Sequence, residues 1–143
     1  MSVSVEVAMT EGALARPAPL ACPGAGAVVV FEGVVRRLEE GREIDALVYE
    51  AYQPMAAAEL RRLAERTAAE FGLLAVRVEH STGRVAVGEV SFRLAVASPH
   101  RGEALAALGQ FIDEMKRSAP IWKAPAFRVG ESDGVGARKP DGA

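Results

Sequence analysis

Between Pro54 and Gly72 the chain reads PMAAAELRRLAERTAAEFG, and this stretch constrains the fold more than any other. Strong helix formers fill it, Pro54 stands in the first turn and Gly72 supplies a stop, so the reading is a helix from 54 to about 71. Met55, Leu60, Leu63, Ala64 and Thr67 recur at helical intervals, giving one apolar face that must cover something. The surroundings are β-like. AVVVFEGVVR (27 to 36) is dense in β-branched residues, and Gly33 inside it marks a bulge or a close backbone approach. IDALVYEAY (44 to 52) follows the turn EEGREI, and these two strands are expected to pair as an antiparallel hairpin with a longer loop. LLAVRVEH (73 to 80) and EVSFRLAVAS (89 to 98) form another strand pair, joined through STGRVAVG, and VSVEV near the N-terminus reads as a short strand.

Ser98-Pro99 reads as the N-cap and first position of a second helix, running to about Arg117 and closed before Pro120. Its stripe is Ala104, Leu105, Leu108, Phe111, Ile112 and Met115. Strand pairs separated by single helices indicate an α+β domain with a mostly antiparallel sheet. At 143 residues the chain is one domain, expected to span residues 1 to 127, with the polar, glycine-rich stretch from 128 to 143 as a flexible tail or a strap. No internal repeat is visible.

Composition removes several function classes. A chain that is half hydrophobic and 25% charged, with mean hydropathy +0.11, has the profile of a soluble globular protein. No apolar run approaches the ~18–20 residues of a membrane span. The N-terminus lacks a basic segment followed by an apolar one, so the cytoplasm is the expected compartment. Cys22 is the chain's single cysteine, in the Pro/Gly-rich stretch RPAPLACPGAG, which excludes an internal disulfide or a cysteine-built cluster. His80 and His100 are the two imidazoles and lack zinc-ligand spacing, so neither a metal nor another cofactor is expected. A net charge of −2 and a pI near 5.8 argue against a general nucleic-acid binder, whose phosphate contacts demand a surplus of Lys and Arg. Any anion site must therefore be local.

Two places supply one. His100 and Arg101 open the second helix, where free N–H groups and the positive dipole end favour an anion, and two cationic side chains there repel unless one is present. On a helical wheel Arg101 falls within the apolar face and Lys116 on its edge. The second place is KRSAPIWK (116 to 123), where Pro120 and Trp122 allow the chain to fold back and bring Lys116 and Lys123 together beside an apolar plug. Amines gathered in a partly dry site give up protons more readily, which suits general acid/base work or attack on a carbonyl. The bland readings are a snorkelling Lys116, an Arg101 paired with a carboxylate, and Trp122 as a core plug between solvated lysines. Arg36, ending the first long strand, is by itself ordinary surface charge. Arg101 and Lys116 stand 15 residues apart on one helix, roughly 22 Å at 1.5 Å per residue, too far for one small ligand to bridge. If both serve one site they come from different subunits, and a twofold dimer with two composite pockets follows.

The ordered set GAVVVFEGVVR (26 to 36), LVYEAYQPMA (47 to 56), VGE (87 to 89), SPHR (98 to 101) and IDEMKRSAPIWK (112 to 123) closely resembles the large, catalytic subunit family of molybdopterin synthase. The resemblance implies an α/β-hammerhead type of fold with an additional antiparallel β-sheet. It implies a central homodimer with a small ubiquitin-like sulfur carrier at each end, together a heterotetramer. The implied reaction is conversion of cyclic pyranopterin monophosphate to molybdopterin, with two sulfurs delivered in turn from the carrier's thiocarboxylated Gly-Gly terminus. Sulfur that arrives on a partner requires no cysteine here.

Carried onto this sequence, the resemblance implies a pocket of Phe31, Arg36, His100, Arg101, Lys116 and Lys123, with the His-Arg pair entering from the neighbouring large subunit. Arg36, His100 and Arg101 would bind the substrate's phosphate and pterin, Lys116 would be the general acid/base beside the thiocarboxylate, and Lys123 would stabilise developing negative charge. The chain departs from the family pattern at HSTG (80 to 83), where His-Arg is usual, and at Ala124-Pro125, where a charged continuation is usual. The tail has no tryptophan, and the family's tail arginine has no clear counterpart: Gly130 precedes ESD, with Arg128 the nearest substitute. The alternative from another class is a noncatalytic homo-oligomeric module that binds a phosphorylated metabolite.

Overall fold

A computed structural model describes residues 3 to 128; the expected tail from 129 onward, Gly130 included, lies outside the described residues. Among the described residues nine elements follow one another: β1 (Ser4–Glu11), β2 (Ala27–Val34), β3 (Leu38–Glu39), β4 (Arg42–Ala51), α1 (Met55–Phe71), β5 (Ala75–Ala86), β6 (Val90–Ser98), α2 (Arg101–Ser118) and β7 (Ile121–Phe127). The result is the expected α+β architecture with a predominantly antiparallel sheet.

The long strand β5 organises that sheet. Its first half pairs antiparallel with β6 and, along the other edge, parallel with β1; its last residues, Gly83 to Ala86, pair with β4. β2 adds to the free edge of β6, and β7 to the free edge of β4. The expected β2–β4 hairpin does not form. Both edges of β4 are already occupied, by β5 and β7, and the turn after β2 instead serves a tight β3–β4 hairpin. Glu40 and Gly41 make that turn with φ of 54° and 76°, the left-handed pair required by a two-residue hairpin.

Period-2 alternation sorts the sheet into two faces. Val76, Val78 and His80 of β5 lie opposite Val96, Leu94 and Phe92 of β6 and are buried with them. Against this face pack both helices, α1 over β1 and β5, α2 over β2 and β6, touching one another. Leu60, Leu63, Phe111 and Met115 are their main fully buried side chains, each contributing roughly 1.5–3 kcal/mol by leaving water. Two stripe residues are misplaced by the sequence reading: Met55 and Leu105 are each 55% exposed. Met55 is the first residue of α1, and Leu105 lies one turn after Arg101 on the outer side of α2, whose burial runs through Ala104, Ala107, Leu108, Phe111 and Met115. Arg101 is exposed too, not within the apolar face.

On the opposite face Arg93 is almost fully buried. Its guanidinium donates to Glu32 (2.7 Å), Glu79 (3.1 Å) and the carbonyl of Ala15 (2.8 Å), while Arg77 donates to the carbonyl of Ala18 (2.9 Å). These bonds fasten the proline-rich segment between β1 and β2 across the sheet. Among the described residues no helix is long and apolar enough to cross a membrane.

α2 starts two residues later than its sequence signal. The N-cap is His100, with extended backbone and no side-chain cap bond, and not Ser98. Ser98 is still the last rung of β6, paired with Ala27, and its buried hydroxyl binds the backbone N–H (3.3 Å) and carbonyl (2.8 Å) of His100. That turn fixes where His100 and Arg101 emerge.

Candidate functional site

At the end of the helix-covered face lies a cavity of about 260 Å³. β2 reaches it first. Phe31 and Gly33 point toward the helices, and the expected irregularity at Gly33 is present as a register shift between Gly33 and Val34. A Cβ on Gly33 would sit 3.4 Å from Cβ of Phe92, so the bulge lets β2 run tight against β6 before the chain turns toward Arg36. Phe31, Gly33, Val34 and Arg36 all line the cavity.

Its floor is aromatic and polar together. Tyr49 of β4 and Ser91 of β6 share a buried hydrogen bond of 3.0 Å between their hydroxyls, and Phe92 adjoins them. Behind this floor is His80, whose ring lies 5.4 Å from that of Tyr49 and 5.7 Å from that of Phe92. Its Nδ1 lies 2.8 Å from the carbonyl of Ser81, which makes Nδ1 the protonated nitrogen, and Nε2 is buried with no hydrogen-bond partner. Burial lowers the pKa of His80 below its ordinary value, an effect only partly opposed by the Ser81 carbonyl. The ring is therefore neutral, packed behind the floor.

The two lysines arrive from different elements. α2 ends at Ser118, and after two residues β7 begins, so the chain folds back at Pro120 as expected. Lys116 in the last turn shares a helix face with Ile112, and both line the cavity with Met115. Lys123 sits on β7 directly across from Tyr49 and points to the same side of the sheet. Its ammonium is 3.9 Å from Glu39, whose other oxygen is 3.9 Å from Arg36. Trp122 does not plug the core: it is half-buried on the opposite face of β7, beside Glu50, Ala51 and Tyr52. One cavity thus gathers Phe31, Arg36, Lys116 and Lys123. His100 and Arg101 are exposed at the far end of α2 and do not line it.

Residues 6 to 118 match the family model described as MoaE protein. The chain belongs to the MoaE family. A curated relative from Coccidioides immitis, a molybdopterin synthase catalytic subunit, is 41% identical over 114 residues, covering 80% of this chain and 58% of its own. The chain thus spans a little over half the length of that relative. Among solved structures, molybdopterin synthase from Staphylococcus aureus superposes with a TM-score of 0.76 at 27% identity, covering 91% of this chain and 96% of that one. A complex of subunits 1 and 2 of molybdopterin-converting factor from Helicobacter pylori shares the fold, with a TM-score of 0.69 at 24% identity, covering 85% of each chain.

The MoaE match takes in Phe31, Arg36, His100, Arg101 and Lys116 and stops five residues short of Lys123, which the β4–β7 pairing brings back to the cavity. In this member of the MoaE family, Glu39, Tyr49, Ser91 and Phe92 belong to the same cavity and escaped the sequence reading. Tyr49 lay within a quoted motif, but nothing in its spacing told which face of β4 it takes. Glu39 stands in the turn EEGREI, and a two-residue strand has no periodicity to betray it.

Proposed function

We propose that this chain is the large catalytic subunit of molybdopterin synthase, acting in the cytoplasm in molybdenum cofactor biosynthesis. It converts cyclic pyranopterin monophosphate to molybdopterin with sulfur carried on the thiocarboxylated Gly-Gly terminus of a small ubiquitin-like partner. The observation that carries this reading is the convergence of Arg36, Lys116 and Lys123 with Phe31 on one cavity. Three cations around an aromatic and polar floor suit a flat pterin bearing a phosphate, next to a thiocarboxylate.

Within this reading Lys116 moves the proton as each sulfur is transferred, and Lys123 stabilises the negative charge that develops. Arg36 holds substrate oxyanions. His100 and Arg101 complete the neighbouring protomer's pocket, for they stand roughly 22 Å along α2 from Lys116, beyond the reach of one small ligand. Leu105, exposed one turn after Arg101, supports a protein surface at this end of the helix, since a second copy would take that leucine out of water.

Reconstitution tests the reading. The chain mixed with a thiocarboxylated small subunit and cyclic pyranopterin monophosphate is expected to yield molybdopterin, with neither protein sufficient alone. A dimer that binds the substrate and shows no turnover with any carrier would favour the noncatalytic binding module instead.

A further inference from the structure

β3 is built inside out. Of its two residues the leucine faces solvent, 43% exposed, while the side chain of Glu39 is only 13% exposed and lines the cavity. Burial normally sorts such a pair the other way, because an ionised carboxylate loses far more hydration than a leucine gains. The orientation is imposed by the tight turn at Glu40 and Gly41, which locks Glu39 opposite Arg42 in the β3–β4 ladder. A rigid hairpin thus carries a carboxylate into a pocket whose other charged groups are cations.

Where it sits is informative. One oxygen faces Arg36 and the other faces Lys123, both at 3.9 Å. Those distances exceed the 2.7–2.9 Å of a charge-assisted hydrogen bond, so the carboxylate is held by Coulomb attraction without being locked to either partner. It lies where an incoming oxyanion would seek the same two cations. We propose that Glu39 is a built-in competitor for that oxyanion: it balances Arg36 and Lys123 before a ligand arrives, must yield them when one enters, and so determines how tightly the pocket holds its charge. The inference rests on the reading of this cavity as an oxyanion site. A phosphate on the substrate and the carboxylate terminus of a partner present the same chemistry.

Glu39→Gln removes the charge and keeps the shape. Binding to the full chain is measured by calorimetry at fixed ionic strength with two probes, inorganic phosphate and a short peptide ending in Gly-Gly with a free carboxylate. Glu65→Gln is the control, with the same change in net charge on α1, away from the cavity. The expected result is about fivefold tighter binding or more by the Glu39→Gln protein for at least one probe, with Glu65→Gln unchanged. A gain confined to phosphate identifies the competitor as the substrate's, and a gain confined to the peptide as the partner's. Glu39→Ala is expected to show the same gain, which excludes a new hydrogen bond from the glutamine amide as its source. Equal or weaker binding of both probes by Glu39→Gln, or an equal gain in Glu65→Gln, would overturn the inference and leave the oxyanion site standing. Absence of binding in all four proteins, wild type included, would sink the site itself.

Discussion

The imidazole of His80 meets the ring of Tyr49 nearly edge-on, 80° between planes and 5.4 Å between centroids, so a buried titratable group braces a residue that lines the cavity. Burial holds His80 neutral in the folded protein, whereas the unfolded chain takes up its proton near the ordinary value of 6.5. Below that pH the unfolded state binds more protons, so stability is complete above about 6.5 and falls as the pH drops toward the lower folded value, by up to about 1.4 kcal/mol per pH unit. Urea unfolding of the wild type and of His80→Phe at about pH 7.5 and about pH 5 checks this. The variant is expected to lose less stability over that interval, and parallel losses would show that His80 is not the titrating group.

Lys116 is exposed at the end of α2, so its removal should leave the fold alone. Lys116→Ala is expected to change stability by no more than about 0.5 kcal/mol while reducing molybdopterin formation at least about 100-fold. Carrier binding should persist. Activity near that of the wild type would remove Lys116 from the chemistry.

If Arg101 serves the neighbouring protomer's pocket, two inactive variants can repair each other. Lys116→Ala and Arg101→Ala, mixed after dissociation and reassociated, place one intact pocket in each heterodimer and none in either homodimer. Random reassociation then restores about a quarter of the wild-type activity. Recovery no greater than the sum of the separate variants would mean that the two residues do not meet across a dimer.

Arg93, with 3% of its side chain exposed, holds Glu32, Glu79 and the carbonyl of Ala15 at once. Removing it strands two carboxylates against one another. Arg93→Ala is therefore expected to lose about 3–5 kcal/mol in denaturant unfolding, far more than loss of an exposed pair such as Arg62–Glu59.

Gly26 donates its N–H to the carbonyl of Ser98, and a Cβ there would press into the backbone carbonyl oxygen of Pro99. Gly26→Ala is expected to cost roughly 1–3 kcal/mol and to displace the turn that positions His100 and Arg101. Activity should fall in excess of the lost stability, measured at a temperature where the variant remains folded.

Much of this fold was legible because its longer elements obey one period each. α1 shows its stop at Gly72, which adopts φ 65°, and β5 shows its core face as Val76, Val78 and His80. Pairing was less legible. β2 and β4 are the two long strands that adjoin in sequence, but β4 is claimed by β5 and by β7, a strand whose Pro125 and Lys123 hide its β character, so the expected hairpin does not form. The fold-back that unites Lys116 with Lys123 could be read from Pro120. Glu39 could not: the turn at Glu40 and Gly41 is legible, but a two-residue strand has no period to show which side its carboxylate takes.

The eighteen residues of α2 act as a length standard. One end carries Lys116 at the cavity and the other an exposed Arg101, so if the proposed dimer forms, the rigid rod between them sets the gauge to which its halves are cut. In such a dimer, splicing a turn into this rod would throw each copy out of alignment with the other.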